Sequence, residues 1–283
     1  MNIFRFKTTK ERPESLEHRD SPNYYWTIGM AISALMMVLI LVGYVWTPYS
    51  TTEMSGSDKF LSPCLRHPLG TDNFGRDLLS RIMEGAGSTF LIALCVILIG
   101  GIIGTIIGSL TGYFGGMADV VLMRICDAIT AFPSILLAMV VIAIIGPGTY
   151  NIIAALGILF IPSFARLVRG EFIKYRGRDF VHSARLAGVP AMRIIFVHIL
   201  PNTWPVLLSG LTIGFNNAVL SEASMSFLGI GVGPADASLG RMLSEGQSSL
   251  FSAPWCTLFP ALVVILLVLG VGMVGEGIRE RIR

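Results

Sequence analysis

Hydrophobic and polar positions along the chain are sorted into long blocks, with no helical or strand alternation inside the apolar ones. No Asp, Glu, Lys or Arg occurs in residues 21–52, 85–118, 128–165, 194–221 or 246–275, which together exceed half of the chain. A helix crosses the hydrocarbon core, about 30 Å thick, with about 20 apolar residues, and every one of these windows is longer than that. They predict helices over about 27–47, 89–111, 203–221 and 258–275. The third window is long enough for two, and Gly146-Pro147-Gly148 divides it into 128–146 and 149–165. Pro133 and Pro162 fall in these two helices, where a missing N–H and a ring clash predict kinks or ends. Gly100, Gly101, Gly104 and Gly108 lie on adjoining faces of the second helix. Small residues at this spacing let helices approach closely where lipid is as apolar as the partner helix, so one tight helix–helix contact is expected there.

Composition sharpens this picture. Of 283 residues 53% are hydrophobic and 14% charged, with mean hydropathy +0.70, against about 25% charged in soluble domains. An ordinary soluble enzyme is excluded, and the expected fold class is an all-α integral membrane protein of six transmembrane helices. An even number of spans puts both termini on one side. With the N terminus inside, 16 of the 21 Lys and Arg fall in internal segments, and Lys59, Arg66, Arg76, Arg81 and Arg241 are external. By the positive-inside rule both termini and the segment 166–202 are cytoplasmic. The chain then divides into a cytoplasmic segment 1–26, a first transmembrane helix 27–47, an external loop 48–88 and a five-helix core 89–283. Residues 1–26 include Glu11, Glu14, Glu17 and Asp20, and no small-residue cleavage site follows the first helix, so that helix reads as an uncleaved signal anchor. The net charge of +3 carries no basic run, which argues against nucleic acid.

Candidate chemistry is sparse. There is no Gly-Lys dipeptide and hence no phosphate loop, and G-x-S-x-G and H-E-x-x-H are absent. His18, His67, His182 and His198 are scattered. Cys64, Cys95, Cys126 and Cys256 lack metal-ligand spacing, although a Cys64–Cys256 disulfide is conceivable. Asp119, Arg124 and Asp127 cluster at the cytoplasmic mouth of the third helix and Glu222 at the outer end of the fifth, with no ionisable group at mid-span. Self-powered carriers usually keep such a group there, so uphill transport by this chain needs an energy source in a partner. Gly70, Asp72, Gly75 and Asp77 read either as an oxygen-ligand metal loop or, on their spacing better, as a turn in which Asp77 caps a helix from Leu78 to Met83.

The segment 166–202 carries the most information. Asp179 is placed to cap a short helix running to Ala187, Gly188 to turn the chain, Pro190 to start a second helix, and Leu200-Pro201 to end it at the membrane. Phe180, Ala184 and Ala187 share one face of the first helix, and Arg178, His182 and Arg185 the other. This compact knob is either an amphipathic loop lying on anionic lipid or a docking element.

The knob resembles the EAA loop of ABC-importer permeases: Glu-Ala-Ala, three residues, Gly, then Ile/Leu-Pro thirteen residues after the Gly. Here His182-Ser183-Ala184, Gly188 and Leu200-Pro201 keep that spacing. Further stretches resemble the branch that imports dipeptides, oligopeptides and nickel. They are His67-Pro68-Leu69-Gly70-Thr71-Asp72 with Gly75-Arg76-Asp77, and Gly112-Tyr113-Phe114-Gly115-Gly116 with Asp127 and Ala131-Phe132-Pro133-Ser134. Ser226-Phe227-Leu228-Gly229 with Ala253-Pro254-Trp255 completes the set. The resemblance covers about 60–283 and implies a type I ABC-importer permease in a prokaryotic inner membrane. It implies no cofactor in this chain, ATP and Mg being bound by two ATPase subunits, together with a second, homologous permease and an extracytoplasmic solute-binding protein. It also makes Arg178, Asp179, His182, Ser183, Ala184, Arg185, Gly188, Leu200 and Pro201 the coupling loop toward the ATPase. Two positions depart from the family: His182 stands where the loop has glutamate, which removes or reverses any charge-assisted contact, and Leu239-Gly240 stands where a tryptophan often precedes the glycine of the last external loop.

Asn216 and Asn217, polar within an apolar span, are the candidates for a pathway-facing position, and an interhelical hydrogen bond is the simpler alternative. A peptide is the expected substrate and nickel or a nickel chelate the second choice. A stand-alone channel or carrier is the rival of another class, and a membrane enzyme lacks any catalytic constellation.

Overall fold

The structure is a computed structural model that describes residues 24–233 and 236–282. The segment 1–26 therefore lies outside the described residues as far as 23, as does Arg283. The described part is helical: α1 (Tyr24–Val45), α2 (Leu78–Phe114), α3 (Gly116–Thr130), α4 (Ser134–Ile145), α5 (Thr149–Arg176), α6 (Asp179–Leu186), α7 (Ala191–Arg193), α8 (Leu200–Phe227), α9 (Leu239–Gln247) and α10 (Trp255–Ile282). Five of its helices are long and apolar enough to cross a membrane, and the number reaches six where the bent pair α3–α4 is counted as one span.

Asp77 starts α2 as expected, its carboxylate accepting the Ser80 N–H at 2.8 Å. The helix it starts does not stop at Met83, however. It runs on unbroken through the predicted span as 37 residues, about 55 Å at 1.5 Å per residue, so α2 projects from the hydrocarbon at both ends. Gly100, Gly104 and Gly108 face α5 together with Gly112. A Cβ at Gly100 would stand 2.8 Å from Phe160 Cβ, at Gly104 2.5 Å from Phe164 Cβ and at Gly112 2.5 Å from Phe172 Cβ, and at Gly108 it would strike the Ala165 carbonyl. Gly101 instead faces Leu211 of α8. The tight contact read from the glycine spacing is thus the α2–α5 seam, and α8 lies against the adjoining face of α2. On the periphery α1 packs along α10, Gly29 against Met273 and Gly270 against Ser33.

Two predicted elements need correction. The helix expected over 128–146 is broken: α3 ends at Thr130, α4 begins at Ser134, and their axes differ by 86°. Pro133 has no N–H to continue α3 and disfavours helical backbone at Phe132, so the proline ends one helix and starts another. The break moves Asp119, Arg124 and Asp127 onto a separate amphipathic helix. There Asp119 accepts Arg169 Nη2 at 2.7 Å and Asp127 accepts Arg166 Nη2 at 3.1 Å, tying α3 to α5. The second correction concerns Leu200-Pro201, which ends no helix. α7 passes through a π-helical turn (Ile194–Ile199) straight into α8. The turn shifts the bonding register, with Leu200 N–H donating to Ile195 O. A register shift just ahead of a residue that has no N–H lets the helix absorb Pro201.

Gly104→Val tests the seam. Forcing a branched side chain into it is expected to cost about 1–3 kcal/mol and to lower the unfolding temperature of the detergent-solubilised protein. Gly170→Ala, on α5 with no atom within 4 Å of the added Cβ, should leave it unchanged or raise it.

Candidate functional site

After α5 the chain turns at Gly177 and enters the knob. Arg178, with extended backbone and no capping bond from its side chain, occupies the N-cap, so Asp179 is the first helical residue rather than the cap. There its carboxylate meets the positive end of the short helix dipole. The buried face is Val181 and Ala184, packed beside Ile194 and Ile195 of the π turn. Phe180 is 41% exposed and Ala187 is exposed, which corrects the predicted Phe180/Ala184/Ala187 face by one position. Tyr175 draws Phe180 aside, their rings tilted at 6.5 Å. Arg178, His182, Ser183 and Arg185 are all exposed, and Leu186 at the tip is 91% exposed.

The helix closes in a Schellman turn. Gly188 N–H donates to Arg185 O at 3.0 Å and Val189 N–H to Ala184 O at 3.1 Å, with Gly188 at φ +75°. Open space surrounds Gly188, so the demand for glycine there is conformational, not steric. The knob is fastened to the end of α2: Arg185 Nε donates to Tyr113 Oη at 3.3 Å with its guanidinium 4.9 Å from the ring centroid, and Arg176 Nη1 donates to Gly112 O at 3.3 Å. Leu200 and Pro201 lie below it at the start of α8.

At the opposite end of α2 an ion cluster pins the loop of residues 48–77. Asp72 accepts the N–H groups of Phe74 and Arg76, and its Oδ2 also meets Arg76 Nε at 2.7 Å and Arg81 Nη1 at 2.6 Å. Both arginines reach Glu245 of α9 at 2.8 Å, and Arg241 Nε joins at 3.0 Å. His67 Nδ1 lies 2.9 Å from Asp77 Oδ1, and Trp255 Nε1 donates to Thr71 O at 3.3 Å. These partners use up Asp72 and Asp77, and the metal-loop alternative has no free carboxylate left. Among the described residues no group of three His, Cys, Asp or Glu is arranged around a common centre. Cys64 and Cys256 are unpaired, Cys64 exposed and Cys256 buried with its Sγ donating to Thr71 O. Sequence reading missed Glu245 and Arg241, which lie far along the chain from Asp72 and carry no local signal of the pairing. Leu239 is buried, and Gly240 sits so close to the Ala223 backbone that a Cβ has no room.

The two asparagines part company. Asn216 turns toward α10, its Nδ2 2.9 Å from a Cβ built at Gly272, and its Oδ1 is buried without a partner. Asn217 opens into two adjoining cavities between α4, α5 and α8, of about 310 and 220 Å³, which share Phe160 and Ser163. Glu222 is fully buried one turn further on, accepting the Ser226 hydroxyl at 2.7 Å.

The bent helix pair, the long α2–α5 seam and a rigid knob between two spans form one recognisable arrangement. Residues 104–283 match the family described as binding-protein-dependent transport system inner membrane component. The chain belongs to this family. It is 37% identical to the dipeptide transport system permease protein DppC of Alkalihalophilus pseudofirmus over 253 residues, 89% of this chain and 83% of that one. It is 38% identical to the glutathione transport system permease protein GsiD of Escherichia coli O157:H7 over 257 residues, 89% and 85% of the two chains. Among solved structures, a chain of the MetNI methionine ABC transporter in an inward-facing conformation superposes with TM-score 0.60 at 19% identity, covering 72% of this chain and 96% of that one. The fold is that of a type I ABC-importer permease, and this chain is the multi-pass inner-membrane permease subunit of an ABC importer.

Burial pushes the Glu245 carboxyl up, but Arg81, with Arg76 and Arg241, outweighs it and holds the group below its ordinary value. A depressed carboxylate adds stability above its unfolded-state pKa of about 4.3, and that stability is lost as pH falls through the lower folded-state value. Breaking a buried ion pair costs about 3–5 kcal/mol, and with 18% of the Glu245 side chain exposed the lower end applies. Glu245→Gln is therefore expected to melt earlier at pH 7 and to lose part of the wild-type decline below pH 4, read by thermal unfolding across pH.

Proposed function

We propose that this permease carries short peptides, delivered from outside by a solute-binding protein, and that it is driven by ATPase subunits that dock on the knob at 179–188. The observation that carries the substrate class is the similarity to a dipeptide and a glutathione permease across 89% of the chain. The knob geometry supports the coupling role. Its outward side chains Arg178, Asp179, His182, Ser183 and Leu186 are exposed, while Val181 and Ala184 anchor it and Arg185 ties it to α2. The Schellman turn at Gly188 and the Arg185–Tyr113 contact make it a stiff lever rather than a loose loop. A push on the knob is delivered to α2 at Tyr113 and through α5 at Arg176.

In this reading two ATPase subunits bind ATP and Mg, a second, homologous permease completes the pathway, and this chain holds no cofactor. ATP-driven closure of the ATPase dimer draws the knobs together and switches the bundle between two access states, a population shift imposed by binding energy at a distant subunit. His182, where related loops have glutamate, meets the ATPase with an imidazole, so the complementary groove must accept a neutral or cationic donor. The knob sits on the side that carries most of the Lys and Arg, which agrees with a cytoplasmic partner.

The complex reconstituted in proteoliposomes with both permeases, the ATPases and the binding protein should take up dipeptide only with ATP. Gly188→Arg, which forces a side chain into φ +75° and places a bulky cation at the dock, should reduce uptake at least tenfold and release the ATPase subunits in a pull-down. Uptake by this chain alone without ATP would establish the stand-alone carrier instead.

A further inference from the structure

We infer that the groove between α4, α5 and α8 is a subsite for peptide backbone, holding the amide groups of the transported chain through uncharged side chains and leaving its net charge unread. The inference rests on the peptide-permease reading and adds the chemistry by which this chain touches its cargo.

The two cavities that share Phe160, Ser163 and Asn217 are lined on their polar side by Ser134, Ser163, Asn217, Ser221 and Ser224, and by no ionisable residue. By contrast, a cavity of about 340 Å³ between α1 and α2 contains Glu84, and a small one at the ion cluster contains Asp72, Arg81 and Glu245. Asn217, Ser221 and Ser224 recur on α8 at i, i+4 and i+7 and so form one polar row on one face. Opposite them stand Ser134 of α4 and Ser163 of α5.

These side chains have hydrogen-bonding capacity to spare. Elsewhere on α8, Thr203, Ser209 and Thr212 bond back to carbonyls of their own helix. In the groove only Ser224 does so, donating to Leu220 O at 2.7 Å. Ser134, Ser163, Ser221 and the exposed Asn217 make no side-chain hydrogen bond with another described residue. Against lipid such a row would be costly, because hydrocarbon satisfies none of its donors or acceptors, so it faces away from the hydrocarbon. Hydroxyl and carboxamide groups both donate and accept, as a peptide backbone does with its N–H and C=O. The Phe160 ring and Leu159 beside them offer apolar contact to any side chain. A charged side chain or terminus finds neither a counter-ion nor a like charge here, so peptides of either sign pass the same wall.

The test is uptake of dialanine, alanyl-lysine and alanyl-aspartate by the full reconstituted complex, each corrected for its affinity for the binding protein. Wild type should move the three within about threefold of one another. Placing a charge in the groove should create the discrimination that wild type lacks. Asn217→Asp should slow alanyl-aspartate about tenfold relative to alanyl-lysine, and Asn217→Lys should invert the order, since unit charges about 4 Å apart interact by more than a tenfold factor at protein-surface dielectric. Equal slowing of all three peptides by both variants, or no change with either, would overturn the inference by making Asn217 a structural residue or one covered by a neighbouring subunit. A wild-type complex that moves none of the three would overturn the peptide reading itself, and this inference with it.

Discussion

In a bilayer nothing hydrophobic draws one helix onto another, so close packing must come from surfaces that let backbones meet. Here that surface is the row Gly100, Gly104, Gly108 and Gly112, which seats α5 directly on α2. The rest of the molecule is arranged around this contact. α2 carries the ion cluster at one end, where Asp77 caps it and Arg81 meets Asp72 and Glu245, and the knob at the other, where Tyr113 receives Arg185. α5 leads straight into the knob, and α8 leads out of it along the adjoining face of α2. A rod of 37 residues thus joins the ion cluster to the knob, and the glycine seam holds α5, which leads into the knob, against that rod.

Much of this was legible in the chain. The charge-free windows marked the spans because the bilayer demands length and apolarity and little else. The glycine spacing marked the seam, since only a missing side chain explains such a row. Gly188 marked the end of α6, because an L residue resists its backbone angle, and Asp77 marked the start of α2. What escaped depended on partners distant in sequence or on subtle backbone bonding. Pro133 was visible, but whether it kinks or ends a helix depends on what the two halves pack against, and here they diverge by 86°. Leu200-Pro201 reads as a terminator until the π turn before it shifts the bonding register. The inward face of α6 was misplaced because eight residues give little periodicity, and the π turn beneath selects Val181 over Phe180.

The candidate site divides in the same way. The knob is local, and its first helix and the turn at Gly188 were readable to within a residue, whereas the end of its second helix was not. The groove is assembled from three helices, so neither Ser134 nor Ser163 signalled anything alone. Asn216 and Asn217 looked alike in the chain, but a 100° step around α8 sends one toward α10 and the other into the groove. Glu245 was invisible as the partner of Arg76 and Arg81 because chain separation hides such a pair until the fold closes it.

The knob, as proposed, is the point at which a separate ATPase grips this permease. A photo-crosslinking side chain placed at Leu186, 91% exposed on the knob, and in parallel at Phe251, fully exposed beyond α9, addresses it in intact membranes. Leu186 should form an adduct with a nucleotide-binding subunit, and Phe251 should form none with it. An ATPase adduct from Phe251, or none from Leu186 while the complex is intact, would contradict both the docking site and the side of the membrane on which it lies.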